Sequence, residues 1–170
     1  MKKTLLFSSA FLIFGACNFN SSDTFVRKGM EDDDKKNYEQ AILDYTEAIK
    51  ANPTDEIAYN NRGLDKYNLG RLMEAIEDYT KALEIKPGDA KSANNRGLAE
   101  SDLGLDTVAM KDYNIAIMSD PTLEQAYNNR GELESDMGKY EGDSNMFALA
   151  MKDLNKAVQL DDSDYYAYNN

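Results

Sequence analysis

Histidine and tryptophan are absent from the 170-residue chain, proline occurs three times and cysteine once, at Cys17. A lone cysteine without histidine forms neither an internal disulfide nor a Cys/His zinc site. Without histidine the common general bases shrink to carboxylates, Lys and Tyr, and no cluster of nucleophile, base and orienting group can be assembled. The ten glycines are scattered, with no Gly-x-x-x-x-Gly-Lys or Gly-x-Gly-x-x-Gly loop to cradle a nucleotide phosphate. Positive charge is also scarce: 19 Lys and Arg stand against 31 Asp and Glu, a net of −12. A nucleic-acid binder needs a basic stripe, so that class is disfavoured. What is present is 42% apolar and 29% charged residues, enough hydrophobic material for a core and too much for a disordered acidic tail. The expectation is an acidic, non-enzymatic body with no catalytic residue, no metal and no cofactor.

The amino terminus reads as a processing signal. Lys2 and Lys3 precede an apolar run from Leu5 to Phe14 that is far short of the ~20 residues a membrane-spanning helix needs. The run ends in Phe14-Gly15-Ala16-Cys17, small residues where a secretory signal would be cut. This resembles the lipobox of bacterial lipoproteins, with Phe14 where that family usually has an aliphatic residue. The resemblance implies removal of residues 1–16, acylation of Cys17 and a membrane anchor through the lipid, with residues 17–24 as a flexible tether. An ordinary secretory signal, leaving a spare thiol, is the alternative.

A 34-residue period fills the remainder. The fragments Ala58-Tyr59-Asn60-Asn61-Arg62-Gly63, Ser92-Ala93-Asn94-Asn95-Arg96-Gly97 and Ala126-Tyr127-Asn128-Asn129-Arg130-Gly131 align on it, and Gly29 extends the glycine series. Pro53, Pro87 and Pro121 keep the same interval, as do Tyr45, Tyr79 and Tyr113. A fixed period of this length marks a stacked array of similar units. Ala41, Ala75 and Ala109 each follow a glycine by twelve positions, small residues that let two helices approach closely. Ala75, Ile76, Tyr79, Ala82 and Leu83 fall at three- and four-residue spacings, an amphipathic helix. Each proline then closes a helix, so each unit is a helical hairpin turning near a residue such as Gly70.

These features closely resemble the tetratricopeptide repeat family. The resemblance implies an all-α, right-handed α-solenoid with units at 22–55, 56–89, 90–123 and 124–164. In the fourth unit the partner alanine is Ala150 rather than residue 143, seven residues late, which predicts an insertion near Gly142–Phe147 taken up by a longer turn and an added helical turn. Residues 165–170 resemble the opening of a fifth unit, predicting an uncovered face and self-association. Glu31-Asp32-Asp33-Asp34 predict a frayed first helix serving as a polar cap, and Lys28, Arg62, Arg96 and Arg130, where the family often has Leu, predict stem contacts with solvated heads.

In this family the first helix of each hairpin lines the concave side. The resemblance therefore places Asn60, Asn61, Asn94, Asn95, Asn128 and Asn129 in a groove, with Leu64, Leu98 and Tyr67 as its floor and Asp102, Glu132 and Asp136 making it acidic. Asparagines can hydrogen-bond an extended peptide backbone, or they can tie adjacent repeats together. The family's basic carboxylate clamp is not evident, so a basic or neutral protein segment is the expected partner. The function implied is a lipid-anchored adaptor of the bacterial cell envelope, on the outer membrane rather than the inner, supporting a protein assembly. The alternatives are a regulator that recruits a cell-wall enzyme and a truncated product without function.

Overall fold

Apolar residues at helical spacing, with a proline or glycine after each run, produce eight helices among the described residues: α1 Phe19–Asp33, α2 Tyr38–Ala51, α3 Glu56–Asn68, α4 Leu72–Ile85, α5 Ala90–Asp102, α6 Asp106–Ser119, α7 Glu124–Glu141 and α8 Ser144–Tyr168. The computed structural model describes residues 19–142 and 144–168, and the side chains of residues 21–140, 142 and 144–161. The signal segment and Cys17 lie outside them. The helices pair as α1–α2, α3–α4, α5–α6 and α7–α8, and each second helix packs on the first helix of the next hairpin. Odd-numbered helices also touch the next odd-numbered helix, whereas no two even-numbered helices are in comparable contact. The odd-numbered helices therefore form the tighter, inner layer of the curve. This is the tetratricopeptide-type α-solenoid.

The helix ends have local causes. Asp55 and Asp89 cap α3 and α5 by accepting from the amides of Ala58 and Ser92, each at 3.0 Å. The inner turns need a left-handed residue, supplied by Gly70 and Gly104 at φ 74°. Lys36 occupies the same register in the first unit and is held at φ 59°, where a side chain is disfavoured.

The unit core is an aromatic ring laid on a glycine. A Cβ on Gly29, Gly63 or Gly97 would stand 2.6, 2.8 or 2.9 Å from the ring of Tyr45, Tyr79 or Tyr113. The glycines thus make room for the tyrosine sixteen residues on, more than for the alanine at twelve, although Ala41, Ala75 and Ala109 are fully buried beside them. In the fourth unit Leu154 replaces the tyrosine, 3.0 Å from a Cβ on Gly131, and Ala150 is buried. Ala93, which departs from the Tyr of its neighbours, packs with Ala116 and Ala126 in the junction between units. Pro53, Pro87 and Pro121 are exposed just past the ends of α2, α4 and α6.

Four expectations need correction. Residues 19–24 are helix rather than tether: α1 begins at Phe19, and Ser22, 2% exposed, donates to the carbonyl of Ala48 and to Asp55 at 3.2 and 2.6 Å. The first helix also holds through Asp33, with Glu31 paired to Arg27 at 2.7 Å and Asp32 to Lys35 at 3.6 Å. Of the two expectations for the insertion, the added helical turn is present, since α8 starts at Ser144, but the longer turn is not: α7 instead extends to 18 residues where α3 and α5 have 13, and Gly142 ends it at φ 68°. Finally, α8 runs unbroken to Tyr168, through the expected start of a fifth unit. The residue in the register of Pro53, Pro87 and Pro121 is Asp162, which does not stop a helix.

Candidate groove and inter-repeat ladders

The six asparagines fall on the inner helices, at the level where one unit meets the next. Asn95 donates to Asn60 Oδ1 at 3.2 Å, and Asn129 donates to Asn94 Oδ1 at 3.0 Å, each bond crossing between units. Asn60 Oδ1 also accepts from Ser92 Oγ at 3.2 Å, while its amide nitrogen donates to Asn61 at 3.2 Å. Asn94 repeats that neighbour bond to Asn95 at 3.5 Å and is 6% exposed. The amides of Asn60, Asn94, Asn95 and Asn129 are therefore engaged in ties between repeats. Asn128, on the last inner helix, instead donates to Glu132 at 3.1 Å.

Tyr67 and Asp102 make a further bridge. Tyr67 is half-buried against Ala75, Tyr79 and Ala99, and its hydroxyl donates to Asp102 at 2.7 Å. Burial first, and then that bond, push the phenol up to about 12. Leu64 and Leu98 are half-buried on the same helices. Asp102, Glu132 and Asp136 are exposed, Asp136 in a surface pair with Lys139 at 2.7 Å. The carboxylates thus present negative charge to solvent.

A second ladder runs parallel to the first, and in it the heads of the three arginines are not solvated as expected, whereas Lys28 is exposed. Arg62 Nε and Nη2 grip Asp78 at 2.8 and 2.6 Å, Arg96 grips Asp112 at 2.5 and 2.9 Å, and Arg130 grips Asp153 at 2.5 and 3.0 Å. Their side chains are only 16, 21 and 19% exposed. The third nitrogen of each reaches back to the preceding hairpin: Arg62 to Thr46 at 3.1 Å, Arg96 to Thr80 at 3.2 Å, and Arg130 to Asn114. The planar guanidinium suits this, since it holds a carboxylate with two donors and keeps another for a neighbour. The bond to Asp112 and that to Asp153 raise the basicity of Arg96 and Arg130. The sequence carries the signal in Asp44, Asp78 and Asp112, which keep the 34-residue period.

Three further buried carboxyls went unnoticed in the sequence: Glu134, raised by burial first and then by Asp153, and the two that follow. Glu100, 6% exposed, is pushed up to about 7 by burial and by Asp112, against the pull of Arg96. Asp65, fully buried, is pushed up to about 8 by burial first and then by Asp33. Among the described residues no group of three acidic or other ligating side chains is arranged to hold a metal ion, and no helix is long and apolar enough to cross a membrane.

Residues 22–55 and 57–89 match family models described as tetratricopeptide repeat. Solved structures show the same architecture over most of the chain. MamA is 20% identical over 86% of this chain and 82% of its own, with a TM-score of 0.74. The Arabidopsis OM64 TPR domain is 28% identical over 70% of this chain and 98% of its own, with a TM-score of 0.68. The first TPR of Spaghetti (RPAP3), bound to the HSP90 peptide SRMEEVD, is 23% identical over 70% of this chain and 94% of its own, at 0.68. The search of curated proteins found no significant match. The chain is thus an array of helical hairpins in which two units are tetratricopeptide repeats by sequence and the whole has the fold of a tetratricopeptide solenoid.

Proposed function

We propose that this protein is a non-enzymatic adaptor whose inner face holds an extended segment of another protein, and that it is anchored by a lipid on Cys17 in the bacterial envelope, where it supports a protein assembly. The carrying observation is the set of exposed carboxylates Asp102, Glu132 and Asp136 on the inner helices, where Leu64 and Leu98 are half-buried. A neighbour of the same fold takes the peptide SRMEEVD, in which acidic side chains outnumber the single Arg. The carboxylates here repel such a ligand and attract a basic one. The envelope part of the proposal rests on Lys2, Lys3, the apolar run and Cys17.

Because Asn60 and Asn94 accept bonds from the next unit, the asparagines contribute to the shape of the groove before they contribute to its chemistry. The combined variant Asn60→Ala, Asn94→Ala, Asn128→Ala is expected to melt at lower temperature, at about 0.5–1.5 kcal/mol for each hydrogen bond lost. Charge removal by Asp102→Asn, Glu132→Gln and Asp136→Asn is expected to leave melting unchanged. The decisive measurement is co-purification from detergent-solubilised envelope with each variant beside the wild type. A partner retained by the wild type and lost with the carboxylates, more so at low salt, supports the reading; a partner indifferent to the inner face sinks it.

A further inference from the structure

At the amino-terminal end of the inner face a carboxyl is buried where the fold has no use for one. Asp65 on α3 is 0% exposed, and the same register in the next two units carries Ala99 and Leu133, both core residues. Neither carboxyl oxygen receives a hydrogen bond from a donor group. The neighbour of Asp65 is another acid, Asp33, half-buried at the end of α1, in carboxyl-to-carboxyl contact. Such a contact holds only if the two share a proton. Asp34, next to Asp33, is exposed. The other elements around Asp65 supply no cation to it: α2 offers Tyr45, α4 offers Tyr79, and α5 turns Ala99 into the same core. Lys66, the adjacent residue, is held by Asp78 at 2.8 Å.

Asp33 lies in the register of Tyr67, so the dyad opens towards the inner face through Asp33 while Asp65 stays behind it. We propose that the Asp33–Asp65 dyad docks a basic side chain of the segment held in the groove, the ammonium or guanidinium taking the place of the shared proton. This rests on the groove reading above and adds to it the residue type that anchors the segment and a linkage to pH. The exchange balances: one cation arrives, one proton leaves to solvent, and the two carboxylates end paired with the cation. Burial and mutual repulsion keep the proton on the empty dyad at neutral pH, Asp65 standing at about 8, so binding competes with protonation.

The test is calorimetric titration of the full chain with two probes, acetylated and amidated pentalysine and pentaglutamine, at pH 6 and pH 7 in buffers of different ionisation enthalpy. Pentalysine affinity is expected to rise towards tenfold over that interval, the limit for exchange of one proton, with about one proton released per peptide. Asp65→Asn removes the carboxyl that keeps the proton and should bind pentalysine without pH dependence or proton release; Asp33→Asn should bind it at least ~10-fold more weakly, which is about 1.4 kcal/mol. Melting curves of both variants establish that they are folded. The same slope and proton release in Asp65→Asn would assign the titration to another carboxyl, such as Glu100, and overturn the proposal. Binding of pentalysine without proton release in the wild type overturns the dyad alone, whereas failure of both peptides to bind overturns the groove reading with it.

Discussion

Replacing Asp65 by Ala, the residue that the third unit carries in the same register as Ala99, is expected to stabilise the protein at neutral pH. The carboxyl is fully buried, and its pKa rises from 3.8 to about 8 on folding. A folded-state value above the unfolded one means that the native state keeps a proton the unfolded chain releases. Its contribution is therefore intact below pH 3.8 and is lost progressively as pH rises to about 8. At pH 7 the interval above the unfolded value is about three pH units, each worth about 1.4 kcal/mol, so the carboxyl costs on the order of 4 kcal/mol. Ala loses some packing, about 1 kcal/mol for the few atoms removed. The net expectation at pH 7 is a gain of about 2–3 kcal/mol, vanishing near the acid end of the range.

Urea denaturation followed by circular dichroism at pH 5, 7 and 8.5 measures this, the quantity of interest being the wild-type-to-variant difference at each pH. Stacked arrays unfold unit by unit when their junctions are uneven, so amide exchange in α1 and α3 is the companion measurement. The gain should appear there and not in α7. A difference between the two proteins that does not change with pH, or a variant less stable than the wild type at pH 7, would refute the reasoning. A stabilising loss of a carboxyl also fits a residue retained for binding, because such sites often cost stability.

Arg96→Leu leaves Asp112 buried without its partner and is expected to cost about 3–5 kcal/mol, whereas Arg96→Leu with Asp112→Leu should recover most of that loss in the same chemical denaturation experiment. Gly63→Ala places a methyl 2.8 Å from the Tyr79 ring and should lower stability by about 1–3 kcal/mol, read as a fall in melting temperature. Cys17→Ser is expected to remove the acyl mass from the native protein and move it from the membrane to the soluble fraction; an unmodified Cys17 in the intact mass of the wild type would end the lipoprotein reading.

The repeat was legible because its core repeats residue for residue: the glycine, the tyrosine sixteen positions later and the proline beyond it all keep one interval. The groove was harder to read because identical asparagines can face a ligand or a neighbour, and only the distances show that Asn60 and Asn94 accept from the following unit. The arginines were misjudged for a related reason. A cation in a leucine register suggests a stem buried and a head in water, but the periodic aspartates supply a buried counter-charge from the second helix of the same hairpin. Asp65 was invisible because its register is occupied by Glu31, Ala99 and Leu133 in the other units, and no periodicity marks an exception. The fate of the insertion was equally local: α7 extends and Gly142 stops it, a choice that residue counting alone does not make.

Both ladders fix the shape of the array. Each arginine joins an aspartate of its own hairpin to a hydroxyl or amide of the preceding one, so it fixes how far and at what angle one unit sits on the next. Buried ion pairs are poor sources of net stability, since their attraction is largely offset by the loss of hydration. An apolar residue in that register would pack at least as well, yet it would tolerate sliding, which a bidentate pair with a third directed bond does not. The asparagine ties act in the same way on the inner side, and in doing so they use amides that a peptide backbone would otherwise bond. On the proposed reading, recognition is left to what the ladders do not engage: the exposed carboxylates of the third and fourth units and the acidic pair at the first junction. A partner selected on that basis is read by the spacing of its positive charges along an extended segment, and its affinity should fall with salt while that of a backbone-gripping groove should not.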